Sequence, residues 1–504
     1  MNIKQHIELA GGALLTMLDA ENDYLPTNGY EVAHDLGRWW DAVLRLEETI
    51  GFVIPAELES ASLRNLQRLT NNTDCLLMVD KINPHNYRET MLAFGGLARR
   101  RNSVWAREAG MKLVSSMNRC LTEYGYFDFT RLGSWGMFSF TEDPSHTEEK
   151  RDGWFDGTAT SGRCLEAIIW FYEITKEPMA FDVARRIAEY HLNNSVNHDG
   201  SIRAEISNAE NVGHNHSYHG TLRGLLLFGL LTGQQEYVDA VEATYRHADH
   251  QRIVMDSGWA PHDLGKLRFP NKYGDPVTDP ASTGDAAQIA LWLALHAGCT
   301  DLLDDVERLV RCRIIPSQCL DESFKNIEKP RCEYGAWAIH GSSHGEKGCT
   351  PDVLAAVTHT LCDIYNHICV KNSPGIQVNL HFDYENADVK IVSRRNDKHE
   401  LSVIVKRPDN ILIRVPKWTP DESVTISIDG KLIPLTKMGD FAWISREMLT
   451  ENCKIVLCCD LPVKYTEEVM PSGRKYRLKW RGDEITGISP QEENMPFYPY
   501  LCEE

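Results

Sequence analysis

HGTLRGLLLFGLLTGQQEYVDAVEATYRHADH, residues 219–250, joins two segments of unlike pattern through a Thr-Gly turn at Thr232 and Gly233. LRGLLLFGLL is apolar nearly all round, whereas the segment after the turn alternates charged and apolar residues with a period near 3.6. The first reads as an enclosed helix and the second as a helix with one face in water. The same pair recurs in SGRCLEAIIWFYEITKEPMAFDVARRIAEYHL (161–192) and GDAAQIALWLALHAGCTDLLDDVERLVRCRI (284–314). Looser copies are GRWWDAVLRLEETIG, NYRETMLAFGGLARR with SVWAREAGMKLVSSMNRCL, and PDVLAAVTHTLCDIYNHI. About six inner helices result, and a ring of apolar inner helices wrapped by amphipathic outer ones is an (α/α)6 toroid.

After Ser373-Pro374-Gly375 the period changes to two, in IQVNLHF, ADVKIVSRR, ELSVIVKR, NILIRVP, SVTISIDG, FAWISR, CKIVLCCD and RKYRLKW. Short alternating runs separated by turn residues predict a C-terminal antiparallel β-sandwich. The expected division is a barrel over 1–372 and a sandwich over 373–504.

The chain has 504 residues and a formal net charge of −19, without a dense Lys/Arg stripe. Nucleic acid is therefore not an expected partner. The longest apolar run, Gly224 to Leu231, is too short for a membrane span, and the first residues read as an amphipathic helix without a cleavage site. The fourteen cysteines are scattered, with no CxxC pair, which predicts reduced thiols in a cytoplasmic protein. Homo-oligomerisation is left open.

In a toroid, chemistry is expected in the loops entering the inner helices. These loops are TNGYEVAHDLGRWWD, RDGWFDGTATSGR, ENVGHNHSYHG, DSGWAPHDLGKLRFPNKYGDPVTDPASTGD and PRCEYGAWAIHGSSHGEKGCTPD, all rich in His, Asp, Trp and Gly. Indole faces pack on sugar C–H surfaces while carboxylates and imidazoles bind hydroxyls. Trp39, Trp40, Trp154, Trp259 and Trp337 are the candidate faces. Asp156, Asp263, Asp285 and Glu333 are the candidate catalytic carboxylates, since glycoside hydrolysis needs two flanking the scissile bond. Asp35, Arg38, His262 and His340 complete the expected sugar contacts. Asp156 and Asp285 each precede a helix, and for either taken alone a cap or first-turn role without chemistry is the favoured reading. His214, His216 and His219 in GHNHSYHG invite a metal, but no carboxylate stands at a recognised offset, so sugar contacts are expected instead. No metal or cofactor is expected.

TSGRCLEAIIWFYEITKEPMAFDVARRIAEY (160–190), then GCTPD, VNLHF, RVPKW and WRGDE in that order, resemble glycoside hydrolase family 127, the β-L-arabinofuranosidases. The resemblance implies a toroid followed by a sandwich, and places a family histidine on His214. It also implies a zinc-bound cysteine nucleophile, which this chain breaks. TGDAAQ puts Gly284 and Ala286 at ligand positions, and Gly348 stands at the nucleophile position beside Cys349. Cys349 is then expected to be a buried structural thiol. The family's acid/base glutamate falls near Gly265-Lys266, and a family histidine is Arg163 here, a fixed cation suited to a carboxylate-bearing sugar.

The leading expectation is a metal-independent glycoside hydrolase, exo-acting on a terminal sugar or uronic acid of a plant or algal oligosaccharide. A polysaccharide lyase or unsaturated-uronyl hydrolase, and a non-catalytic carbohydrate-binding protein, are the alternatives.

Overall fold

The computed structural model describes residues 1–26, 32–77, 84–128, 161–204, 206, 213–265, 267, 270, 273–320, 334–337 and 351–490. Among them run the α-helices Ile3–Thr16 (α1), Val32–Ile50 (α2), Ala56–Leu69 (α3), Pro84–Arg100 (α4), Val104–Cys120 (α5), Leu165–Thr175 (α6), Pro178–Asn194 (α7), Asn215–Thr232 (α8), Gln235–Arg246 (α9), Pro280–His296 (α10), Leu303–Leu309 (α11) and Pro351–Asn366 (α12). Helices α2, α4, α6, α8, α10 and α12 form a closed ring, each packed on the next and α12 returning to α2. Helices α3, α5, α7, α9 and α11 lie outside the inner helix they follow, and α1 takes the sixth outer place against α12 and α2. This is the (α/α)6 toroid that the repeats predict.

Local sequence explains the inner helices. Asp279 caps α10, its Oδ1 accepting from Ala281 N at 2.8 Å, with Pro280 at the first helical position. Every residue from Pro280 to Ala294 is buried, as a helix apolar all round requires. Helix α8 stops at Gly233, whose φ of 68° is left-handed. Outer helix α9 buries only Tyr237, Val238, Ala240, Val241, Thr244 and Tyr245, one face of a 3.6-residue period.

Two glycines set the spacing of the ring. A Cβ on Gly37 of α2 would stand 2.3 Å from the Glu89 carbonyl oxygen of α4, and one on Gly224 of α8 would stand 2.4 Å from Leu165 Cβ. Backbones therefore approach more closely than any side chain allows. Gly37→Ala is expected to lower stability by about 1–3 kcal/mol through overpacking. A chemical denaturation midpoint at or above that of the parent would contradict the close α2–α4 approach.

A short ribbon pairs Leu18–Asp19 (β1) with Leu25–Pro26 (β2). The C-terminal strands are Cys369–Lys371 (β3), Ile376–Val378 (β4), Tyr384–Glu385 (β5), Val389–Arg395 (β6), Lys398–Val405 (β7), Ile411–Arg414 (β8), Thr425–Ile428 (β9), Lys431–Ile433 (β10), Lys437–Met438 (β11), Phe441–Ile444 (β12), Lys454–Asp460 (β13), Val463–Val469 (β14), Lys475–Arg481 (β15) and Glu484–Ser489 (β16). A six-stranded sheet runs β10-β9-β13-β7-β6-β5 and a five-stranded sheet β11-β12-β8-β4-β3. All their pairs are antiparallel except β4 with β8, which is parallel. In β7 and β13 buried and more exposed residues alternate, so the period-two pattern holds side chain by side chain.

Strands β14, β15 and β16 form a separate sheet. Met470, Tyr476, Leu478, Trp480, Ile485 and Ile488 pack there on Trp259 and Cys312 of the helical part, making a second apolar core. The joint between toroid and sandwich also carries ion pairs. Arg414 pairs with Asp304 and Glu307, Glu307 Oε1 accepts from His381 N at 2.6 Å, and Arg414 Nε donates to Asn379 O at 2.6 Å. His381 of VNLHF and Arg414 of RVPKW thus tie the sandwich to Glu307 of α11.

Ser257 N and Oγ of the helical part each lie 2.7 Å from a carboxylate oxygen of Glu468 on β14. Burial pushes the Glu468 carboxyl up to about 7 from an ordinary 4.5, against the opposing pull of those hydrogen bonds. A folded value above the unfolded one means that the proton favours the folded state. Its contribution is complete below pH 4.5 and is lost as pH rises through about 7. Urea midpoints are expected to fall over that window and to flatten in Glu468→Gln; identical pH profiles for both proteins would contradict this.

Candidate functional site

Charged residues stand on the axial faces of the inner helices and pair with one another. Arg38 Nε of α2 lies 3.1 Å from Glu89 Oε2 of α4 and 2.5 Å from Asp352 Oδ1 of α12. Arg88 Nη1 donates to both Glu89 oxygens at 2.9 and 3.0 Å, and its Nη2 lies 3.6 Å from Glu166 Oε2 of α6. Arg223 of α8 lies 2.7 Å from Glu166 Oε1 and 2.6 Å from Asp285 Oδ1 of α10. His216 closes the circuit, with Nδ1 2.5 Å from Asp285 Oδ2 and Nε2 2.6 Å from Arg38 Nη2. All six inner helices contribute.

The tautomer of His216 follows from its partners. Arginine only donates, so Nε2 accepts and Nδ1 carries the hydrogen given to Asp285. Burial alone would raise the Asp285 carboxyl, but His216 and Arg223 outweigh it and hold the group far below the ordinary carboxylate range. Glu89 is buried likewise and held low by Arg38, Arg88 and Arg163. Neither carboxyl can serve as a proton donor near neutral pH.

Arg163 lies just before α6, above this layer. Its Nη1 donates to His85 Nε2 and to Ser217 Oγ, both at 2.9 Å, and its Nη2 lies 3.4 Å from Glu89 Oε1. Burial, with Arg88 beside it, pushes the guanidinium down to about 10. Its partner Glu89 is shared with Arg38 and Arg88. Ser217 Oγ also lies 2.8 Å from His214 Nδ1, and His262 Nδ1 lies 2.8 Å from Asp263 Oδ1. Backbone bonds knit this rim: Asn215 N donates to His262 O at 3.0 Å, Leu264 N to Gly213 O at 2.7 Å, and His262 N to Val277 O at 2.7 Å.

The structure redistributes several of the expected roles. Trp39 is fully buried, its Nε1 donating to Leu14 O at 3.1 Å, and Trp40 packs edge-on against it. Trp337 is buried with Nε1 on Ile314 O at 2.7 Å, and Trp259 lies in the second core. These indoles offer no face to a sugar, because the ring uses them as packing. His219 is also fully enclosed, 3.2 Å from Asn215 O and 3.3 Å from His250 Nε2, and burial pushes it down to about 4. Asp35 caps the start of α12, accepting from Asp352 N at 3.2 Å. Asp285 is a bound anion of the axial layer and not an available acid. Arg38, Arg163, His214, His216, His262 and Asp263 do gather at one mouth. Trp154, Asp156, Glu333, His340 and Cys349 lie outside the described residues.

Sequence reading missed Glu89, Glu166, Arg88 and Arg223. Their signal was a charge inside an apolar inner helix, as in TLRGLLLF and CLEAIIWF. The zinc implied by the family resemblance does not fit. Gly284 and Ala286 carry no donor, and even a Cβ at Gly284 would meet Thr360 Oγ1 at 2.9 Å.

A cavity of about 950 Å³ opens at the opposite mouth, where the inner helices end. It is lined by residues such as Trp170, Leu227, Leu231 and Trp292 and reaches in to Asp41 and His359. His359 Nδ1 lies 2.6 Å from Asp41 Oδ2, and Arg45 pairs with Asp41 at 2.8 Å, so these charges are mutually satisfied. The charged layer separates this cavity from the mouth that carries Arg163 and the histidines.

Arg223→Met would leave Glu166 and Asp285 buried without their common partner, at an expected cost of about 3–5 kcal/mol. Arg185→Ala breaks only the exposed pairs with Asp182 and Glu189, for an expected cost under about 1 kcal/mol. Equal losses in denaturant unfolding would show that the axial layer is not what holds the ring.

No protein-family model matches the chain, and no curated protein matches it by sequence. Solved structures match in fold. One described as a glycoside hydrolase superposes with a TM-score of 0.59 at 13% identity, covering 95% of this chain and 79% of that one. A family 127 β-L-arabinofuranosidase from Geobacillus stearothermophilus T6 gives 0.56 at 14%, covering 96% and 80%. Another family 127 β-arabinofuranosidase gives 0.60 at 12%, covering 96% and 78%. Identities this low establish the fold alone, and the fold of this chain is that toroid with its sandwich.

Proposed function

We propose that the chain is a glycoside hydrolase acting at the mouth that carries Arg163, on the terminal residue of an oligosaccharide, with a uronic acid as the preferred sugar. The observation that carries this is Arg163 itself, a buried guanidinium whose ion-pair partner Glu89, 3.4 Å away, is shared with Arg38 and Arg88. A substrate carboxylate on Arg163 would give it a further anionic partner. Likeness in fold to glycoside hydrolases supports the reaction class. Exo action is supported by the charged layer, which blocks the axis below the rim.

Glycoside hydrolysis needs one carboxylic acid beside the leaving oxygen and one carboxylate across the sugar ring. Asp285 is assigned neither role, because His216 and Arg223 hold it ionised; it orients His216 instead. The reading draws the pair from Asp263, on the described rim, and from Asp156 and Glu333. The bond-breaking step needs no metal-bound thiolate, in keeping with Gly284 and Ala286 at the family's ligand positions.

The test is sugar release from a panel of plant and algal oligosaccharides. Asp156→Asn, Asp263→Asn and Glu333→Gln are each to be assayed, and the two that form the pair are expected to lower kcat by about 10²-fold or more. Arg163→Met is expected to raise KM for uronate-ended substrates and to leave neutral ones little changed. Turnover untouched by all three carboxylate variants would refute the acid–base assignment. An ultraviolet-absorbing unsaturated product would make the protein a lyase, and binding without turnover across the panel would make it non-catalytic.

A further inference from the structure

We propose that His214, His262 and Asp279 form a binding site for a divalent transition-metal ion, zinc foremost, at the rim of the mouth above the charged layer. One donor atom from each of the three residues lies within 4.8 Å of the others. The residues come from separate stretches: His214 at the cap of α8, His262 in the loop beyond Trp259, and Asp279 at the cap of α10. Their backbones are tied together. His262 N donates to Val277 O at 2.7 Å, Asn215 N to His262 O at 3.0 Å, and Asp279 N to Ala260 O at 3.0 Å. Sequence spacing hides the set because the carboxylate arrives through this pairing of loops and not at a short offset.

Both rings are fixed from behind. Asp263 Oδ1 stands 2.8 Å from His262 Nδ1, and Ser217 Oγ stands 2.8 Å from His214 Nδ1. Oxygen partners on Nδ1 assign coordination to Nε2, the arrangement that orients metal-bound imidazoles. Asp279 is buried, and among the described residues no lysine or arginine pairs with it; its partners are Ala281 N at 2.8 Å and Ser282 Oγ at 3.3 Å. A buried carboxylate facing two imidazoles is a place for a cation. Two nitrogens and one carboxylate favour zinc and its first-row neighbours over magnesium or calcium. Zinc bonds of about 2.0–2.2 Å call for a contraction of the donor set by roughly an ångström, within reach of side-chain rotation. The ion would hold a substrate hydroxyl or carboxylate beside Arg163. This donor set contains no thiolate and shares no residue with Gly284, Ala286 or Cys349.

Full-length protein, stripped with chelator, is to be titrated calorimetrically with zinc and, separately, examined by absorption spectroscopy with cobalt(II). One equivalent of zinc is expected. His214→Gln, His262→Gln and Asp279→Asn are each expected to weaken it by about a hundredfold or more, and Asp263→Asn by about ten- to a hundredfold. Cobalt is expected to show d–d bands without a thiolate charge-transfer band. Far-UV circular dichroism of the metal-free variants checks folding, and the two histidine variants carry the test if Asp279→Asn disturbs the α10 cap. Absence of zinc binding, affinity unchanged in the histidine variants, or a thiolate band would each overturn the proposal. No substrate enters the measurement, so its outcome is independent of the glycosidase reading.

Discussion

Six helices that close into a ring must fill the axis they surround, and here much of one half of that axis is filled with opposite charges. Arg38, Arg88 and Arg223 interleave with Glu89, Glu166 and Asp285, and His216 bridges the last gap. Removing such charges from water costs several kcal/mol per ion, which mutual attraction offsets only when every partner is in place. The layer is therefore cooperative by construction. Each inner helix is held in register by a partner on its neighbour, so register, ring closure and the floor of the mouth are set by one network.

That network also shapes the chemistry above it. Because Asp285 and Glu89 are locked as anions, they act as counter-charges and orienting groups, and the proposed function assigns proton transfer to residues of the rim instead. Arg163 stands between the two levels, sharing Glu89 with the floor and Ser217 with the rim. A ligand at the mouth thus meets a surface whose charge is fixed from below.

The architecture was legible in the sequence because burial leaves periodic traces. Inner helices such as α8 and α10 read as apolar all round, outer helices as half-apolar, and β7 or β13 as alternating. The site was less legible, for two physical reasons. Buried indoles are first needed as packing, Trp39 and Trp337 in the main core and Trp259 in the second, although their composition suited sugar. The pairing of Arg223 with Glu166, or the approach of Asp279 to His262, joins residues that only the fold brings together. A lone charge inside an apolar helix was the trace those pairs did leave. The motifs VNLHF and RVPKW were visible, yet His381 and Arg414 belong to the joint between layers and not to the mouth.

The most direct measurement is an experimental structure of the protein soaked with a uronic acid such as glucuronate. The account predicts density at the mouth above the axial layer, with the sugar carboxylate paired to Arg163 and the ion pairs beneath it intact. Density confined to the cavity at the opposite mouth, or an axial layer whose arginines and carboxylates turn away from one another, would contradict it.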